Sequence, residues 1–246
     1  MAPLVDVRVC ADATDLAWRV AEDGAAILVG AIRANGRCSL ALSGGSTPRA
    51  LYSRWASAFA DRIPWPRVHV FWGDERFVPP DDPRSNYRLA RETLLDHVPC
   101  SPENIHPMPT TVSTPDLAAS RYETVLREHF AGGGPRFDLV LLGLGDDGHT
   151  ASLFPRAAAL DEHARWVVPT TAPADPRSRL TLTLPPLNAA AHVFFLVAGA
   201  GKADVLPRVL DRQADVRRYP AAGIQPDGDL VWWVDRDAAA RYQTGI

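Results

Sequence analysis

Apolar and polar positions along this chain follow two periods that alternate from end to end. Leu16, Val20, Ile27 and Ile32 recur near helical spacing, which predicts a helix over Ala13 to Asn35. Asn35-Gly36 supplies its stop. Cys38 to Leu42 and Val68 to Trp72 read as short buried strands. Phe137 to Leu142 and His192 to Val197 are continuous apolar runs, the pattern of parallel strands covered on both faces. Leu180 to Leu184 alternates Leu with Thr, and Leu230 to Val234 closes the series. Further helices are predicted from Arg49 to about Phe59, from about Asn86 to Leu95, from Asp116 to Phe130 and from Lys202 to about Leu210. A short helix is expected after the last strand. Strands alternating with helices predict an α/β fold with a mostly parallel sheet, organised as a single domain over residues 1–246. Pro79 to Pro83 and Pro99 to Pro109 are loops too short to link domains. No internal repeat appears.

The motifs richest in glycine and polar groups sit where strands end and helices begin. In an open α/β sheet that is where ligands bind. Gly143-Leu144-Gly145-Asp146-Asp147-Gly148-His149-Thr150 follows the strand ending at Leu142. Its three glycines permit a sharply folded loop from which an imidazole emerges, and a His there is suited to proton transfer near neutral pH. Asp146 and Asp147 are both close enough to orient the ring. Thr150 and Ser152 are expected to cap a following helix. Ser43-Gly44-Gly45-Ser46-Thr47-Pro48 lets a ligand approach the main chain before a helix N-terminus, with Ser46 or Thr47 as cap. It lacks the Gly-Lys-Ser/Thr ending of a P-loop. Arg76, in Gly73-Asp74-Glu75-Arg76, can clamp an anion, with Asp74 orienting it or a ligand hydroxyl. Lys202 follows Gly199 and Gly201. A Lys opposing a helix dipole at that position points to a nearby anion. Arg179 precedes the Leu-Thr alternation. The other histidines, His69, His97, His106, His129, His163 and His192, lack a comparable setting and read as structural.

Composition narrows the class. The chain has 246 residues, 46% apolar and 22% charged, with formal net charge −3. Nothing in that balance indicates nucleic acid or an anionic membrane, so an anionic ligand needs a few local Arg and Lys side chains. Three cysteines, Cys10, Cys38 and Cys100, form no Cys-x-x-Cys pair, which argues against a disulfide framework and a structural zinc site. No secretory signal and no apolar run of the ~20 residues needed to span a bilayer is apparent, so a cytoplasmic location is expected. The size permits a monomer. No metal is expected, because no second His or Cys stands at ligand spacing from His149. A dinucleotide cofactor is not expected either, because no Gly-x-Gly-x-x-Gly follows the first strand.

Taken together and in order, the Ser43–Pro48 motif, Asp74-Glu75-Arg76, Ser85-Asn86, the Gly143–Pro155 loop, Arg179–Thr183 and Gly201-Lys202-Ala203 resemble the glucosamine-6-phosphate isomerase/6-phosphogluconolactonase family, on its lactonase side. The resemblance runs through nearly the whole chain. It implies a Rossmann-like sheet flanked by helices with a smaller lid-like portion, and neither metal nor cofactor. It also implies hydrolysis of a sugar-phosphate lactone, 6-phosphoglucono-1,5-lactone, in the oxidative pentose phosphate pathway. His149 would be the general base. Asp147, the Asp of the Asp-Gly-His core, would orient it in preference to Asp146. Arg76, Lys202 and Arg179 would hold phosphate, and Gly44, Gly45, Thr47 and Asp74 would line the substrate site.

Two rivals remain. Amino-sugar phosphate isomerases and deaminases share the fold and the Asp-Gly-His motif, but usually carry a Glu five residues after the His. Phe154 stands there, and no acid lies between His149 and Asp161. A non-catalytic sugar-phosphate sensor would keep the anion contacts and dispense with the imidazole. No helix-turn-helix or basic appendage is apparent to transmit its signal.

Overall fold

The computed structural model describes residues 6–131 and 133–242. Six strands form one parallel sheet: β1 (Asp6–Cys10), β2 (Cys38–Leu42), β3 (Val68–Trp72), β5 (Leu139–Gly143), β8 (His192–Val197) and β9 (Asp229–Asp235). Their spatial order is β1-β9-β8-β5-β2-β3, and every neighbouring pair is parallel. Three further strands, β4 (Asp74–Arg76), β6 (Val167–Thr171) and β7 (Ser178–Leu182), form a small antiparallel sheet in the order β4-β7-β6. The expected smaller portion is this second sheet.

The helices are α1 (Ala13–Asn35), α2 (Ser46–Ala58), α3 (Asn86–Thr93), α4 (Pro115–His129), α5 (Leu184–Asn188) and α6 (Leu206–Val209). α1 begins where Asp12 accepts from the N–H groups of Thr14 and Asp15, and ends where Gly36 enters the left-handed region. Its apolar stripe, Leu16, Val20, Ala21 and Leu28, is buried in the core. All five residues of β2 are buried, as are Leu139 to Leu142 of β5 and Val193 to Val197 of β8. These runs therefore read as apolar without alternation. One continuous apolar cluster includes Leu40, Leu141 and Phe195 of the large sheet and Val167, Leu180 and Leu182 of the small one.

Several expected elements differ. β1 and β6 were not anticipated, because each is short and interrupted by polar residues or Pro169. Asp74 to Arg76, for which no element was expected, form a strand. α2 starts at Ser46, three residues before the expected Arg49, and its N-cap is Gly45 with no side-chain cap, so neither Ser46 nor Thr47 plays that part.

No helix follows His149. Gly145 N–H donates to the His149 carbonyl (2.8 Å) and Gly148 N–H to the Gly145 carbonyl (3.0 Å), which closes the loop on itself. Ala151 and Arg156 then take positive φ of 47° and 62°, incompatible with helix. The expected helix from Lys202 to Leu210 is a single 3-10 turn, Ala200–Lys202, followed later by α6. Pro207 bars a continuous helix, since its ring clashes with the preceding turn. Beyond β9 the described residues form turns instead of the expected helix.

Candidate active site

β2 leads outward to β3, whereas β5, which follows later in sequence, lies on the other side of β2 and leads to β8. The chain thus changes direction between β2 and β5, and in an open α/β sheet the ligand crevice is expected at such a point, beyond the carboxyl ends of those strands. The Ser43–Pro48 segment and the Gly143–His149 loop flank it. Both glycine-rich motifs are at the position the fold reserves for a ligand.

Within the long loop, His149 Nδ1 lies 2.6 Å from Asp147 Oδ1, and the same oxygen accepts the His149 backbone N–H at 3.0 Å. An ionised carboxylate only accepts hydrogen bonds, so the ring hydrogen sits on Nδ1 and the Nε2 lone pair is free. Burial pushes the Asp147 carboxyl up, but the His149 ring and backbone donors outweigh it and hold it below its ordinary value. The imidazole is 32% exposed, open to a ligand yet backed by the Phe154 ring at 4.8 Å. A Cβ at Gly145 would stand 2.0 Å from His149 Nδ1, so only glycine leaves room for the ring. Asp146 is differently engaged: it pairs with the Lys202 ammonium. The structure therefore assigns Asp147 to the imidazole and Asp146 to Lys202.

The loop is tied to the small sheet. Ser152 Oγ donates to Asp74 Oδ2 at 2.6 Å, and Ser152 N–H donates to Thr181 Oγ1 at 3.2 Å. Thr150 Oγ1 donates to the Gly143 carbonyl at 2.8 Å. The two residues expected to cap a helix instead fasten the loop: their hydroxyls bind β4 and the end of β5, and the Ser152 N–H binds β7. Asp74 is opposite Thr181 in the ladder, and Arg76 is opposite Arg179. Residues two apart on a strand share a face. Ser152, Asp74, Thr181, Arg76 and Arg179 therefore gather on one side of the small sheet.

Two guanidiniums directly opposite each other repel unless an anion comes between them. Burial, followed by the neighbouring Arg76 charge, pushes Arg179 below its ordinary value. Among the described residues, the side-chain donations of this pair go to main-chain carbonyls: Arg76 Nη1 to Arg84, and Arg179 Nε to Pro176 at 2.7 Å. Arg76 Nε is buried without a partner. Glu75, on the opposite face, accepts the N–H groups of Arg76, Asn86 and Tyr87, each at 2.7 Å, and the Ser85 hydroxyl at 3.1 Å. Burial pushes its carboxyl up against the pull of these donors. Glu75 thus binds β4 to the start of α3 and fixes where Arg76 stands.

Gly44 meets the same assembly. A Cβ there would fall 1.8 Å from Asn86 Oδ1. That amide donates through Nδ2 to the Asp74 carbonyl and to Asp74 Oδ1, at 3.0 and 3.2 Å. Asn86 Oδ1 and Ser43 Oγ are buried without partners. Such orphaned groups are uncommon in native interiors. Ser43 and Asn86 stand in motifs that the sequence singles out, but the sequence alone assigns neither side chain a role of its own. Ser85-Asn86 carried a signal as part of the recurring motif set, but spacing alone could not bring it beside Gly44. Asp74 does not orient Arg76. Its oxygens serve Ser152 and Asn86. Thr47 is half-buried in the first turn of α2, and Gly45 precedes it as the exposed N-cap.

A cleft of about 960 Å³ lies elsewhere. Asp6, His192 and Asp229 line it, and these residues begin β1, β8 and β9, so it opens at the amino end of the sheet. It shares no residue with the His149 assembly. Geometry and donor chemistry, not volume, locate the candidate site.

An Asp–His couple and an arginine pair thus stand beside the point where strand order reverses in a parallel α/β sheet, which places the chain among the α/β proteins of this topology. The chain belongs to the family described as glucosamine-6-phosphate isomerases/6-phosphogluconolactonase, whose sequence model matches residues 11–233. A 6-phosphogluconolactonase of Synechocystis is 48% identical over 211 residues, covering 85% of this chain and 86% of the relative. The solved 6-phosphogluconolactonase of Trypanosoma brucei superposes with a TM-score of 0.83 at 28% identity, covering 98% of this chain and 99% of that one. A monomeric glucosamine-6-phosphate deaminase shares the fold, with a TM-score of 0.80 at 19% identity over 96% of this chain and all of that one.

Proposed function

We propose that this chain is a 6-phosphogluconolactonase, an enzyme that hydrolyses 6-phosphoglucono-1,5-lactone to 6-phosphogluconate in the oxidative pentose phosphate pathway. The observation that carries the reading is the Asp147–His149 couple, with its Nε2 directed away from Asp147 and available as a base. His149 Nε2 takes a proton from water as the water oxygen bonds to the lactone carbonyl carbon. The carbonyl electrons move onto oxygen, and the resulting oxyanion needs donors already in place. The uncapped first turn of α2 and the Gly44-Gly45 main chain supply N–H groups beside the crevice. The tetrahedral intermediate collapses, the bond to the ring oxygen breaks, and His149 returns its proton to that oxygen. Asp147 keeps the imidazole in one tautomer throughout and stabilises its protonated form.

Arg76 and Arg179 bind the phosphate, and Lys202 joins them by exchanging Asp146 for the incoming anion. Gly44, Gly45 and Thr47 line the sugar side. Asp74 acts there through Asn86 and Ser152. The isomerase reading is less well supported, because the position five residues beyond His149 holds Phe154, whose ring packs against the imidazole. Such an enzyme needs a second proton carrier there. The reaction as written needs neither cofactor nor metal. Three unpaired thiols suit the cytoplasm, and no helix among the described residues is long and apolar enough to cross a membrane. A monomer suffices, since all the groups invoked come from one chain. The test is direct: supply freshly made lactone and follow acid release. A rate no faster than spontaneous hydrolysis sinks the assignment, whereas deamination of glucosamine 6-phosphate would move the protein to the other branch of its family.

A further inference from the structure

Three histidines that lactone hydrolysis does not use converge at the far end of the sheet. His69 is the second residue of β3. His106 lies on a segment running beside the β3 edge, where its N–H donates to the Val70 carbonyl at 2.9 Å. His129 ends α4. One ring nitrogen from each lies within 4.8 Å of the other two, and His69 Nδ1 stands 3.2 Å from His106 Nε2. In a tetrahedral zinc site with Zn–N bonds of about 2.0–2.1 Å, neighbouring ligand nitrogens are roughly 3.3–3.4 Å apart. One edge of such a site is thus already formed. The third nitrogen has at most about 1.5 Å to close. We propose that His69, His106 and His129 form a three-imidazole site for a borderline-soft divalent transition metal of the zinc class, separate from the lactone site.

The donor chemistry selects the ion. Three nitrogen ligands and no carboxylate favour zinc, nickel or copper over magnesium or calcium. Ser39 Oγ lies 2.8 Å from His129 Nε2 and holds that ring in place. The rings are also held from behind: Phe71 stacks on His106 at 4.5 Å, and Phe130 meets His129 edge-on at 4.8 Å. Burial favours the neutral, ligating form of all three imidazoles. A cleft of about 450 Å³, lined by His69, Arg37, Arg67, Glu103 and Asn104, brings solvent to the His69 ring. Arg37 donates to the His129 carbonyl at 3.1 Å. Two arginines against one glutamate do not attract a cation, so affinity comes from coordination bonds rather than charge. The bound ion joins the β3 edge, the segment after it and the end of α4.

The measurement is a cobalt(II) and zinc(II) titration of chelator-treated protein. One ion per chain is expected, with the visible absorption of four-coordinate cobalt. Zinc at ~100 times its dissociation constant should raise the melting temperature by about 5–10 °C. Each of His69→Asn, His106→Asn and His129→Asn should weaken binding at least ~10-fold. His149→Ala should bind the ion as the parent does, and His106→Asn should hydrolyse lactone at the parent rate. The spectrum of the unaltered chain decides the matter even if a variant fails to fold. No saturable binding below about 1 mM metal, or binding undiminished in the folded variants, overturns the proposal and leaves the three rings as a hydrogen-bonded core cluster.

Discussion

The two ends of the parallel sheet treat the same side chain in opposite ways. At the carboxyl end a single imidazole, His149, is half-buried on a loop and paired with a carboxylate. At the amino end three imidazoles pack among Phe71, Phe130 and one another, with no carboxylate among their hydrogen-bond partners in the described residues. There burial pushes His106 down to about 4 and His129 to about 3. Desolvation without a counter-charge keeps a ring neutral across the physiological range and fits it for coordination or packing. In the proposed reaction, a carboxylate partner and partial exposure suit a ring to passing a proton. Residue type does not separate the two roles. The neighbours do.

The comparison breaks most directly at His149. His149→Ala should lower turnover by about 10²–10⁴-fold, while His106→Asn leaves it unchanged. Steady-state hydrolysis of fresh lactone measures both, and comparable losses would erase the distinction. Asp147→Asn tests the partner. The amide can donate to Nδ1 and so select the wrong tautomer, which should cost on the order of 10²-fold in kcat with little change in KM. A neutral outcome would mean that the loop backbone alone orients the ring.

The arginine pair comes next. Arg76→Ala and Arg179→Ala should each raise KM by about 10-fold or more, the worth of a charge-assisted hydrogen bond to phosphate. A KM unchanged in both would place the phosphate elsewhere.

The smallest effect concerns acid. In the folded chain His106 and His129 lie below 6.5, the value expected when unfolded. The unfolded state therefore binds protons first. The stability these rings contribute is complete above about pH 6.5 and falls as pH drops toward 4 and then 3. Denaturant titrations across that window, with chelator present, should show an acid limb that His129→Asn flattens. Identical limbs in parent and variant would show that the burial of this ring is not what the acid attacks.

Much of the fold was legible in the chain. The apolar runs of β2, β3, β5, β8 and β9 gave strands whose bounds shift by no more than two residues in the structure, and α1 spans the expected range. These elements are buried on two faces or along one stripe, so their patterns are strong and local. The failures share a cause. The helices expected after His149 and Lys202 rested on capping residues and on a glycine before a lysine. Those residues answer to partners far away in sequence: Ser152 to Asp74, Lys202 to Asp146. β4 is three residues long and exists only because β7 pairs with it.

The sequence by itself determined the periodicity, and with it an α/β sheet. It also determined the loop chemistry, because glycine torsions and a lone histidine are properties of a few adjacent residues. Only the tertiary structure decided between Asp146 and Asp147, set Arg76 opposite Arg179, placed Asn86 against Gly44 and drew His69, His106 and His129 together. Apart from the Asp147–His149 contact, each of those is a meeting of segments separated by tens of residues. Strand register and the crossovers of the sheet fix such meetings, and no local pattern encodes them.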